Sequence, residues 1–258
     1  MSRIPSDWTA RFRAFVVAAC LGFGGLVFGS LLVLAVLVVL LLGGVVTYPP
    51  SAAVQILLST IFVQGIAFGT VAYAYSRYRD AGGRFTTFTV PTIGQLGLVV
   101  VGWAGAFAAS IGVAIVFQET NAPTAKNVVE NLGVAHPEVL LLLIPLAFLL
   151  VGPGEELLFR GVVQGRLREQ FGPVSAILLA SLIFASAHFT SLSGSLSGRV
   201  VTISALFVIS LILGALYEYT QTLTVPALVH GAYDASKFAI LYVYLTHGGQ
   251  VSILAALH

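Results

Sequence analysis

Long apolar runs separated by short polar breaks fill the whole chain. An apolar stretch of about 18 residues or more reads as a membrane-crossing helix. On that rule the first span lies within Ala14–Val46 and ends at Thr47-Tyr48-Pro49-Pro50. The second runs over Ala52–Tyr75 and the third over Thr92–Phe117. The longest polar stretch, Gln118–Glu138, reads as a loop. The fourth apolar run, Val139–Val151, meets Gly152-Pro153-Gly154, where a kink is expected, and the helix continues through Glu155 to Glu169. A turn at Phe171-Gly172-Pro173 precedes the fifth span, Val174–Phe189. Thr190–Gly198 is a Ser/Gly-rich loop, Val200–Tyr219 a sixth span, Leu223–Leu245 a seventh, and Thr246–His258 a tail. The pattern predicts an all-α, polytopic integral membrane bundle of about seven helices, with six to eight as the range. A break at Gly22, Gly24 and Gly25, or a re-entrant tail, gives eight. Alternating segments of about ten residues, the mark of a transmembrane β-barrel, are absent.

Composition sharpens this. Hydrophobic residues make up 58% of the chain and charged residues 9%, against about 25% charged in a soluble domain. The run after Arg3, Arg11 and Arg13 exceeds the ~7–15 residues of a signal-peptide core, which reads as a retained first helix. The amino terminus, the loop of Arg77, Arg79, Asp80 and Arg84, and the turn after Arg166 and Arg168 are basic. Under the positive-inside rule these face the cytoplasm, and so does the amino terminus. A net charge of +2 gives no case for nucleic acid. Cys20 is the single cysteine, so no internal disulfide or Cys/His finger is available. Spacings such as Gly25…Gly29 read as close helix packing.

The first three spans hold no Asp, Glu, Lys, Arg or His between their ends, whereas the later ones hold Glu155, Glu156, Arg160, His188, His230, Asp234 and Lys237. Burying an ionised carboxylate in hydrocarbon costs roughly 2.5–3.5 kcal/mol on insertion scales. Residues 1–137 therefore read as wall helices and 138–258 as the active region. A hairpin turning at Gly172 sets residues equidistant from the turn at one depth. Glu155 lies 17 residues before Gly172 and His188 lies 16 after it, which brings a carboxylate level with an imidazole. Glu156 and Arg160, four apart, can pair, and His230 and Asp234 share the same relation. Glu155 then lacks a local counter-ion, which suits a general base acting on water or a metal ligand. Asp234 and Lys237 can simply pair. His136, His247 and His258 read as solvated, and Phe184 as packing.

Glu155–Arg160 (EELLFR), Phe184–His188 (FASAH) and His230–Asp234 (HGAYD) together resemble the EExxxR, FxxxH and HxxxN/D motifs of the CPBP, or Abi, family of CAAX prenyl endopeptidases. The resemblance covers about residues 140–240. It implies that Glu155 and His188 activate a water, that His230 and Asp234 stabilise the oxyanion, and that Glu156, Arg160 and Phe184 support them. An ionised Asp only accepts hydrogen bonds, so Asp234 stays protonated, orients His230 or pairs with Lys237. The cofactor is either none or one divalent metal, zinc, on Glu155, His188 and His230. The expected partners are the bilayer and a peptide or protein substrate, prenylated at its carboxyl terminus or not. The expected activity is an intramembrane endopeptidase. The alternatives are a non-catalytic scaffold or immunity protein on the same fold, and a proton-coupled transporter.

Overall fold

The computed structural model describes residues 8–79 and 87–248; Arg3, Asp80, Arg84 and His258 lie outside the described residues. Helix α1 is Trp8–Leu42, α2 Ala52–Tyr78 and α3 Ile93–Glu119. A two-residue strand β1, Lys126–Asn127, and a short helix α4, Val128–Ala135, follow. Helix α5 is Glu138–Arg168 and α6 Pro173–Ser191, the latter ending in a 3-10 turn from His188. Strand β2 is Leu192–Ser193, α7 Leu196–Thr220 and α8 Thr224–Thr246.

Six of these helices (α1, α2, α3, α5, α6 and α7) are long and apolar enough to cross a membrane. At 23 residues, or about 34 Å, α8 has the length too, but His230, Asp234 and Lys237 lower its hydropathy. It packs against α3, α5 and α7 inside the bundle. The protein is a polytopic helical membrane bundle. The side chains of Val27, Leu31, Leu34 and Leu42 on α1 are exposed on its outside, as lipid contact requires.

Glycines do not break α1. Gly22, Gly25 and Gly29 are buried, and a Cβ at Gly25 would lie 2.9 Å from Leu158 and one at Gly29 2.9 Å from the Val63 backbone. Such small residues let helices approach closely where lipid supplies no hydrophobic drive. The core they pack against joins α1, α2, α5 and α6 through Phe68, Leu158, Phe159, Ala180 and Phe184.

The chain stays helical through Gly152-Pro153-Gly154, where the sequence reading expects a kink. Wider π-helical turns at Ala147–Val151 and Leu157–Gln164 flank this segment. Such turns absorb the missing proline N–H and recur at functional sites. The Gln118–Glu138 stretch is also more ordered than a loop. Asn127 caps α4 by accepting from the Glu130 amide at 2.7 Å, and Val129 and Leu132 pack against Ile56 and Leu140. The basic ends of α1, α2 and α5 gather at one end of the bundle. Arg79 and Arg166 pair with Glu169, Arg168 with Glu218 at 2.9 Å, and Arg11 lies over Phe171.

Candidate active site

Three close backbone approaches bring the acidic helix to its neighbours. A Cβ at Gly152 would sit 2.6 Å from the Ala227 carbonyl oxygen and 3.1 Å from the Gly231 amide. One at Gly231 would sit 3.0 Å from the Ala147 carbonyl. One at Gly154 would overlap the carbonyl of Gln64 on α2. Only glycine fits at these positions, so α5 lies flush against both α8 and α2, and Glu155 and Glu156 enter the interior directly after the tightest contact.

Glu156 and Arg160 are fully buried, and the Arg160 Nε–H donates to Glu156 Oε2 at 2.8 Å. The other carboxylate oxygen, Oε1, accepts from His230 Nδ1 at 2.9 Å. A carboxylate held by a guanidinium only accepts, so Nδ1 of His230 keeps its hydrogen and Nε2 turns away. Nε2 lies 3.4 Å from Asp234 Oδ2 and 3.9 Å from Glu155 Oε2. His188 is fixed by the same logic. Its Nδ1 donates to the Phe184 carbonyl at 2.9 Å, leaving Nε2 free 3.8 Å from Glu155 Oε2. Phe184 is more than general packing. Its ring meets His188 at 4.7 Å, tilted by 50°, meets His230 at 6.1 Å and lies 5.0 Å under the Arg160 guanidinium.

The odd group is Glu155. Its Oε2 is buried, faces both imidazoles and has no hydrogen-bond partner. An unmatched buried acceptor costs about 1–3 kcal/mol, more when charged. Glu155 lines a cavity of about 480 Å³ together with Gln64, His188, His230, Asp234 and Lys237.

The structure thus gathers Glu155, Glu156, Arg160, Phe184, His188, His230 and Asp234 at one place. It does not join Asp234 to Lys237. Asp234 faces His230, and the Lys237 ammonium lies over the Tyr233 ring, 5.6 Å from its centre. The i,i+3 spacing allows that pair, but the buried imidazole one turn earlier offers the carboxylate a closer partner. His136 and His247 are exposed, His136 beside Glu138 at 3.4 Å. Two features escape sequence reasoning. The Glu156–His230 bond joins residues 74 apart, and Gln64, an uncharged amide in a wall helix, lines the same cavity and holds a buried, unpartnered Oε1.

Glu155, His188 and His230 are the candidate metal ligands. Among the described residues, however, no three His, Cys, Asp or Glu side chains converge as a site for an ion. His230 Nε2 is turned toward Asp234 as much as toward Glu155. This arrangement does not fit a three-ligand zinc centre.

Comparison with known proteins points the same way as the geometry. A family model described as Rce1-like, type II CAAX prenyl endopeptidase, matches residues 137–236. The chain is 41% identical over 87 residues to the uncharacterized protein YpbD of Bacillus subtilis (strain 168), a stretch covering 34% of this chain and 39% of that relative. No solved structure matches. Over residues 137–236, which hold the whole glutamate–histidine cluster, the chain is similar to the Rce1-like family of type II CAAX prenyl endopeptidases.

Proposed function

We propose that the chain is an intramembrane endopeptidase in which Glu155 activates a water molecule held in the cavity. The observation that carries this reading is the unpartnered Glu155 Oε2 between two imidazoles. Glu155 takes a proton as the water oxygen attacks the scissile carbonyl carbon. His230, anchored through Glu156 and Arg160, faces the developing oxyanion with Nε2 and donates to it in the imidazolium form. Asp234 orients that ring. The C–N bond then breaks as Glu155 passes that proton to His188 Nε2, 3.8 Å away, and His188 delivers it to the leaving amine. Residues 1–137 wall the site through α2 and α3, while 138–258 supply the reacting groups.

The substrate is a peptide or protein segment that enters the cavity. Phe159, Leu206, Ile209 and Leu213 give the cavity apolar walls, which suits a substrate bearing a hydrophobic or prenylated carboxyl terminus. The test is incubation of the purified chain with a fluorogenic prenylated CaaX peptide and mass analysis of the products. Two fragments whose masses sum to the peptide plus one water support hydrolysis. An intact peptide, together with intact unprenylated and longer controls, overturns it.

A further inference from the structure

Charge is distributed unevenly between the two ends of the bundle, and the cavity belongs to one of them. Among the described residues the end formed by α1's start, α2's end and the α5–α6 turn holds Arg11, Arg13, Arg77, Arg79, Arg166 and Arg168. Contacts among these segments show that they share one end: Arg79 and Arg166 on Glu169, and Arg11 on Phe171. The opposite end holds Lys126 and Arg199 as its basic residues, beside Glu119, Glu130 and Glu138. That end is also tied together, by β1 paired with β2 and by Ala125 bonded to Thr202. An excess of arginine in short loops and helix ends marks the side that stays in the cytoplasm.

The cavity opens toward the other side. Glu155 itself lies near the middle of α5, 13 residues from Arg168 and 17 from Glu138, so the walls of the cavity set its direction. The cavity walls include Asn127, Val128, Val129, Thr190 and Ser191 from the far end, and none of the six arginines. A neighbouring lobe of about 210 Å³ shares His188 and continues to Thr124, Ala125 and Glu130. Thr124 is exposed.

We propose that the site opens on the extracytoplasmic side of the membrane, and that its substrates are peptides or polypeptide segments presented there, outside the cytoplasm. This rests on the peptidase reading for the word substrate, but the orientation stands on charge and geometry alone. Two experiments separate them. In a Cys20→Ser background, Thr124→Cys and Gln170→Cys are labelled with a membrane-impermeant maleimide in intact bacterial spheroplasts; Gln170 is exposed at the arginine end. Labelling of Thr124→Cys in intact spheroplasts, with Gln170→Cys labelled only after permeabilisation, is expected. The reverse pattern overturns the proposal whatever the activity. In the second, a charged, impermeant fluorogenic peptide is added to right-side-out and inside-out vesicles. Cleavage confined to right-side-out vesicles supports the proposal. Cleavage confined to inside-out vesicles overturns it and leaves the peptidase reading standing. No cleavage on either side or in detergent overturns the peptidase reading and the substrate half of this proposal together, and labelling then decides the orientation.

Discussion

Replacing Arg160 by Met leaves Glu156 buried without its guanidinium partner. Both side chains are fully buried and their N–O distance is 2.8 Å. At an effective dielectric of about 20 the gross attraction at that distance is about 6 kcal/mol. Part of it is offset by desolvation, and removing one member of such a pair costs about 3–5 kcal/mol net. For a chain of this size each kcal/mol moves Tm by about 2–4 °C, so Arg160→Met lowers Tm by roughly 10 °C. The assay is thermal unfolding in one detergent, wild type beside Arg160→Met, Glu156→Leu and the double variant. Removing both charges restores most of the stability, because an apolar pair of similar volume is often neutral or stabilising. The remaining deficit is the unmatched His230 Nδ1–H, about 1–3 kcal/mol. The double variant stays inactive, since His230 has lost the acceptor that fixes its ring. A double variant no more stable than either single one, or Arg160→Met within 2 °C (about 1 kcal/mol) of wild type, refutes this account of the pair.

Four further outcomes follow from the same geometry. Gly154→Ala drives a methyl group into the Gln64 carbonyl, so the variant loses folded yield or activity, read by gel filtration and turnover. His188→Ala lowers kcat by about 10²–10⁴-fold, the span of a general acid or base, in a steady-state assay. Asp234→Asn keeps measurable turnover whereas Asp234→Leu does not, because only Asn retains an acceptor beside His230 Nε2. Gln64→Met raises Tm by removing an unmatched buried acceptor worth about 1–3 kcal/mol, read by thermal unfolding; a lowered Tm contradicts this.

The spans, the charged half and the level of Glu155 with His188 were legible because helical rise converts residue counts into depth. Seventeen residues before Gly172 and sixteen after it become 3.8 Å between Glu155 and His188. Glu156–Arg160 was legible for a similar reason, being one turn apart on one helix. The bond from Glu156 to His230 was not, since it depends on α5 and α8 meeting through Gly152 and Gly231, and no local spacing encodes a contact across 74 residues. Asp234 was ambiguous because His230 and Lys237 lie one turn to either side; tertiary packing decides between them. The helix in Gln118–Glu138 was hidden by polar composition, although Asn127 three residues before Glu130 is a capping signal. The helix continues through Pro153 as the sequence suggests, but the π-helical turns on both sides of it carry no local sequence signal.

Hydrolysis through Glu155 is tested most directly by kcat/KM for a cleaved peptide with wild type and Glu155→Gln, each with and without a zinc chelator. Glutamine matches the shape of the carboxylate but cannot take a proton from water. The account predicts a fall of at least about 10²-fold in the variant with its Tm unchanged or raised. Turnover by Glu155→Gln within threefold of wild type, roughly 0.6 kcal/mol in barrier, contradicts it.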